Sequence, residues 1–324
     1  MTEDGLIFAF ILDSKGGGRE VSWPEIATWK PQDGILWVHI NFESPDSQRW
    51  LADESGLGEL VAEALLAEET RPRSVAINDG LLVILRGITH IPGPAPNEMV
   101  SIRMWMDSHR IVTARRWRLS ATETIRTAVK KGHGPHTVAD FLISISENMI
   151  ESVGPAIDEL EDLAQGLEDE IGKMNDHDLR ARLGFIRREA IQMRRFMAPQ
   201  RDALSQLITE RAAWLGDADR SHLREIRDRT AREVDDLDAS RQHAEIVRDE
   251  MASRERRQMN RIMYILALFT AMFLPLTFVT GLLGMNVDGI PFAKHPNAFL
   301  FTCLSLAGVS IMQWLLFRML KLVR

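Results

Sequence analysis

The chain has 324 residues, enough for two domains or for one domain joined to a helical module, and a formal net charge of -7. That acidic balance argues against nucleic-acid binding, which needs a basic face. The single cysteine, Cys303, excludes an internal disulfide and a thiolate zinc cluster within one chain. The charge is uneven. It is dense up to about Arg261 and sparse from Ile262 to Phe317, where Asp288, Lys294 and His295 stand out. Met1-Thr2-Glu3-Asp4 lacks the basic start and apolar run of a signal peptide.

Residues 1–136 read as a mixed α/β domain. Runs with strand character are Leu6 to Leu12, Ile35 to Phe42, Leu81 to Ile88, Met99 to Met106 and Arg110 to Ala114. Asn78-Asp79-Gly80 and Asp107-Ser108-His109 have the composition of hairpin turns. Ser44-Pro45 predicts the start of a short helix through Leu51, and Leu60 to Leu66 a second. Ile91-Pro92-Gly93-Pro94-Ala95-Pro96 is a loop.

Residues 137–216 read as a helical region. Phe141, Ile145, Met149 and Val153 recur at helical spacing, an acidic helix carries Asp158 to Glu170, and another runs from about Asp178 to Arg211. From Asp217, taken as a cap, to Leu274 there is no proline or glycine. This predicts one unbroken stalk helix over 217–261 that enters the membrane. Leu223, Ile226, Thr230, Val234, Leu237, Ala244, Val247 and Met251 mark one apolar face. The spans follow: residues 262–285, a short outer link 286–297, and residues 298–317, each span long enough for a bilayer core of roughly 30 Å. Arg254, Arg256, Arg257 and Arg261 precede the first, and Arg318, Lys321 and Arg324 follow the second, in a basic tail over 318–324. Both flanks therefore place the two termini in the cytoplasm and the link outside. The fold class is an α+β cytoplasmic domain, a long stalk helix and two C-terminal transmembrane helices.

The first span carries a stripe in steps of three and four: Asn260, Met263, Ala267, Thr270, Leu274, Thr277, Gly281 and Gly284. Two readings stand. Small residues let helices pack closely. Alternatively, one stripe from each of several copies lines a pore, since a single hairpin cannot enclose one. Between Ile262 and Val287 there is no carboxylate, histidine or cysteine. An ion in such a pore would cross with its water shell, with Met263, Leu266 and Leu274 as apolar constrictions.

At Gly284-Met285-Asn286, following Phe273-Leu274-Pro275-Leu276-Thr277-Phe278-Val279-Thr280-Gly281, the chain resembles the CorA superfamily of divalent-cation transporters. Ala67-Glu68-Glu69-Thr70-Arg71-Pro72-Arg73 and Met193 to Asp202 are similar to its zinc-transporting ZntB branch. The resemblance implies a funnel-shaped homopentamer in the bacterial inner membrane, with the first span lining the pore. Its outer ion site would comprise Gly284, Met285 and Asn286, with Asp288 beside it. The link lacks the acidic loop usual in magnesium channels of the superfamily, because Asp288 is its only carboxylate. That favours zinc as the cargo, by uptake and with proton coupling as an option; a CorA-type magnesium, cobalt or nickel channel is the alternative. Asn286 could equally cap the helix end. No resident cofactor is implied. No nucleophile constellation or nucleotide motif appears, so an enzyme is not expected. The rival from another class is a membrane-anchored coiled-coil sensor or scaffold.

Overall fold

The computed structural model describes residues 5–68, 70–88, 98–170, 173–285, 290 and 295–320, without the side chains of residues 168 and 169. By contacts the chain divides into two compact units, Met1–Arg248 and Asp249–Arg324.

The first unit contains a seven-stranded sheet of β1 (Leu6–Leu12), β2 (Gly18–Glu20), β3 (Ile35–Asn41), β4 (Arg73–Ile77), β5 (Gly80–Ile88), β6 (Met99–Met106) and β7 (Arg110–Arg115), in the order β2-β1-β3-β7-β6-β5-β4. Only β3 and β7 pair in parallel. Residues 35–40 of β3 are all buried, as in a strand covered on both faces. Leu36, Val38 and Ile40 join a core with helix α3 (Glu59–Leu66). The helices α1 (Trp23–Thr28) and α2 (Pro45–Arg49), with a π-turn over Trp50–Glu54, contribute Ile26, Trp50 and Leu51 to the same core. On the other face Trp37 meets Phe141, with ring centroids 4.9 Å apart.

The five strand readings match the structure within a residue or so. Both hairpin turns are present, β4–β5 closing through Asn78 at a φ of 54° and β6–β7 through Asp107, whose carboxylate accepts the amides of His109 and Arg110 at 2.8 Å. Strands β2 and β4, helix α1 and helix α4 (Ser120–Lys130) are additions to the sequence reading. The proline-rich loop from Ile91 lies outside the described residues.

Helix α5 (Val138–Glu151) starts at Thr137, which accepts the Asp140 amide at 3.0 Å, while the Asp140 carboxylate takes the amides of His136 and Thr137. Then come α6 (Gly154–Glu170), α7 (Asp176–Thr209), α8 (Asp217–Leu283) and α9 (Ala298–Met319). On α7 the buried side chains Leu179, Leu183, Ile186, Ala190, Met193, Met197, Gln200, Leu204 and Leu207 alternate steps of four and three. This is the seam of a coiled-coil-like packing. On α8 every residue of the apolar face read from the sequence, from Leu223 to Met251, is buried.

Helix α8 runs unbroken for 67 residues, through Pro275, and is about 100 Å long at ~1.5 Å per residue. Its start corrects one detail. Asp217 is the first helical residue rather than the cap, and it is Asp219 whose carboxylate reaches back to the Gly216 amide at 2.8 Å.

Candidate functional site: the apolar hairpin

The second unit contains the membrane segments. An 18-residue window of α8 has a mean hydropathy of 2.2 and one of α9 reaches 1.8, with nothing in either window buried. On α8, Leu268, Met272, Pro275, Leu276 and Val279 are half-covered; on α9, Thr302, Leu306, Val309, Ser310, Gln313 and Phe317 are. Both sets recur at helical spacing. Gln313 Nε2 donates to the Ala271 carbonyl at 3.3 Å, joining the helices on that side. The two helices therefore face one another along these residues.

The polar and small stripe lies on the opposite side of α8. Asn260, Met263, Ala267, Thr270, Leu274, Thr277, Gly281 and Gly284 are all exposed in the single chain. Met263, Leu266 and Leu274 are 61%, 65% and 64% exposed, too much apolar surface to leave in water. A Cβ built on Gly281 would meet nothing within 4 Å, so no contact among the described residues requires glycine there.

The threonine hydroxyls are already committed as donors. Thr270 Oγ1 donates to the Leu266 carbonyl at 2.9 Å and Thr277 Oγ1 to the Phe273 carbonyl at 2.8 Å. Each oxygen keeps lone pairs and no proton, so on this face it can only accept. The waters around a cation point their hydrogens outward and therefore need acceptors. Bound in this way, the threonines present the polarity that a hydrated cation requires.

Gly284 and Met285 end the helix, the Gly284 amide donating to the Thr280 carbonyl at 2.9 Å. Asn286 and Asp288 lie outside the described residues. His295 accepts the Asn297 amide through Nδ1 at 3.2 Å and so helps begin α9. In the first unit, His136 and His177 lie at helix starts and give their backbone amides to them. Asp140 holds the amide of His136, and Asn175 accepts that of His177 at 3.1 Å. Among the described residues no three histidine, cysteine, aspartate or glutamate side chains gather closely enough to hold a metal ion.

The two stretches that carry the ZntB resemblance meet at one residue. Arg86 on β5 gives Nε and Nη2 to the Thr70 carbonyl at 3.3 and 3.0 Å, and Nη1 to that of Met99 at 2.7 Å. Its guanidinium lies 4.0 Å over the Phe196 ring. Its backbone exchanges two hydrogen bonds with the buried Gln200 amide, at 2.6 and 3.0 Å. Arg103 on β6 holds the carbonyls of Ala67 and Glu68 at 2.6 and 3.2 Å. Farther along α7, Arg194 pairs with Asp238 of α8 at 2.8 Å. These stretches fasten the helical region to the sheet edge.

An α+β domain, a helix of 67 residues and an apolar two-helix hairpin with a polar outward stripe define a membrane protein with two C-terminal spans. Comparison with known proteins identifies the kind. The family model described as CorA-like Mg2+ transporter protein matches residues 32–319. The divalent cation transporter CmaX of Pseudomonas aeruginosa is 36% identical over 329 residues, covering 98% of this chain and 97% of that protein. The zinc transport protein ZntB of Pectobacterium carotovorum is 34% identical over 306 residues, covering 94% and 92%. The solved structure of full-length CmaX superposes with a TM-score of 0.82 at 34% identity, covering 99% of both chains. The chain belongs to the CorA family of divalent-cation transporters.

Proposed function

We propose that this protein carries zinc across the bacterial inner membrane through a pore lined by the α8 stripe of several copies, five by the family resemblance, with both termini in the cytoplasm. The observation that carries the pore is the placement of that stripe. Within the first span it carries most of the polar and small side chains, and it is turned away from the hairpin partner, with its threonine oxygens left as acceptors. Packing within the hairpin does not use it.

The choice of zinc draws on the ZntB relatives at 34% identity and on the outer link, in which Asp288 is the only carboxylate. In this reading Asn286, beside Gly284 and Met285, forms a ring of amides that meets the water shell of the incoming ion. Asp288 raises the local cation concentration. Met263, Leu266 and Leu274 form the narrow apolar stretches. Each unit charge gains ~2.3 kcal/mol per 100 mV of inside-negative potential, so a divalent ion on a passive path runs inward. Proton coupling, if it operates, draws on groups outside Ile262 to Val287, where no carboxylate, histidine or cysteine occurs.

Zinc flux into proteoliposomes carrying the wild type or Asn286→Ala, with magnesium as competitor, tests this reading. A marked loss of flux in the variant, with weak competition by magnesium, is the expected result. Unchanged flux in Asn286→Ala removes the amide ring from the account. Strong competition by magnesium moves the assignment to the magnesium alternative.

A further inference from the structure

Pro275 stands inside α8, in the first span, on the side turned toward α9, and the helix runs through it unbroken. Proline has no N–H, so the carbonyl of Ala271, one turn back, lacks the donor that a regular helix supplies. In an aqueous domain water replaces that donor. In the hydrocarbon layer the bond has to come from protein. Gln313 of α9 provides it, giving Nε2 to that same carbonyl at 3.3 Å. A carbonyl only accepts, so the NH2 end of the amide is the one that faces α8. The hydroxyls of α9 are spent within their own helix. Thr302, Ser305 and Ser310 donate to the carbonyls of Ala298, Thr302 and Leu306. Gln313 Oε1 is buried and has no hydrogen-bond partner among the described residues. A methionine of similar length would pack there without that unmet acceptor, so it is the donor that suits glutamine to the position.

We propose that Gln313 stands in for the N–H that Pro275 lacks and is a positioning residue for permeation. A proline notch left open is a place where a helix bends. The amide closes the notch from α9, where the ladder of α8 is interrupted. It thereby fixes the angle at which the outer half of the stripe, Thr277, Gly281 and Gly284, continues from the inner half, Met263, Ala267 and Thr270. The consequence for flux rests on the pore reading above; the pairing of Gln313 with Pro275 does not. What distinguishes this bond from an ordinary contact between helices is that Gln313 is needed only while residue 275 is proline.

That dependence gives the test. Zinc entry into proteoliposomes, and the Tm of the purified oligomer in detergent, are measured for the wild type, Gln313→Met, Pro275→Ala and the chain carrying both changes. Pro275→Ala restores the N–H, so the Ala271 carbonyl takes its bond from its own helix. With proline at 275, Gln313→Met should lower flux roughly 3- to 20-fold, the span of one hydrogen bond between helices in a membrane, and should lower Tm. In the Pro275→Ala chain the same replacement should change flux by less than about 2-fold and leave Tm in place. Should Gln313→Met fail to assemble, the chain carrying both changes should assemble. Equal losses in both backgrounds, or no loss in either, would overturn the proposal. Cysteines at 267 and 281 in the Cys303→Ser chain separate this from failure of the pore reading. If a charged thiol reagent blocks flux at neither position, the pore reading fails, and the Tm values alone decide whether Gln313 replaces the missing N–H. If it blocks at both while Gln313→Met acts equally in the two backgrounds, only the role of Gln313 fails.

Discussion

His39 shows how completely burial can decide a side chain's chemistry. Arg115 Nε donates to its Nε2 at 3.1 Å, so the ring proton sits on Nδ1, 2.8 Å from Thr113 Oγ1. Burial, then the Arg115 and Arg126 charges, hold its pKa well below the ordinary imidazole value. The folded ring is neutral where the unfolded one, near 6.5, takes a proton. Its contribution to stability is therefore complete above that value and falls away as the pH drops. Between pH 7.5 and 5.5 the loss is on the order of 1 kcal/mol at most, the limit set by protonation of the unfolded ring. Urea unfolding of the full chain at the two pH values should show a difference that narrows by about that amount in His39→Gln. An unchanged difference would mean that His39 protonates in the folded protein. At the same scale, Arg86→Lys loses the fork on Thr70 and the stacking on Phe196. A cost of about 2 kcal/mol is expected, read as a lower urea midpoint, without a change in the flux of the protein that remains folded.

At the scale of elements, much of the architecture could be read from periodicity. The stalk seam was legible because Leu223, Ile226, Val234 and Leu237 repeat on one face over many turns, and all of them are buried. Leu237→Ala should cost roughly 2–5 kcal/mol, visible in thermal unfolding; a cost under 1 kcal/mol would place that seam outside the cooperative core. The elements that escaped had weaker signals. Strand β2 has three residues and begins at a glycine, and β4 shows a single buried residue among its five. Helix α1 was marked by Ser22, Pro24 and Glu25, a capping box with proline in the first turn, and that signal could have been used. The role of Ala67 to Arg73 and Met193 to Asp202 was not legible, because Arg86, which joins them, lies outside both stretches. For the candidate pore, the stripe itself was visible in the sequence. Which side α9 would cover was not, since α9 is apolar nearly all round and Gln313, which hydrogen-bonds across to α8, is one of few polar residues on its covered face.

At the scale of the whole molecule, the family and the two spans are established, and the permeation path is the reading proposed here. The single cysteine makes that path directly testable. With Cys303 replaced by serine, single cysteines are placed along α8 in turn, and zinc flux is measured before and after a charged, water-soluble thiol reagent. The account predicts block at 263, 267, 270, 274, 277 and 281, and none at 265, 268, 272 and 279. Block on the second set with none on the first would contradict it.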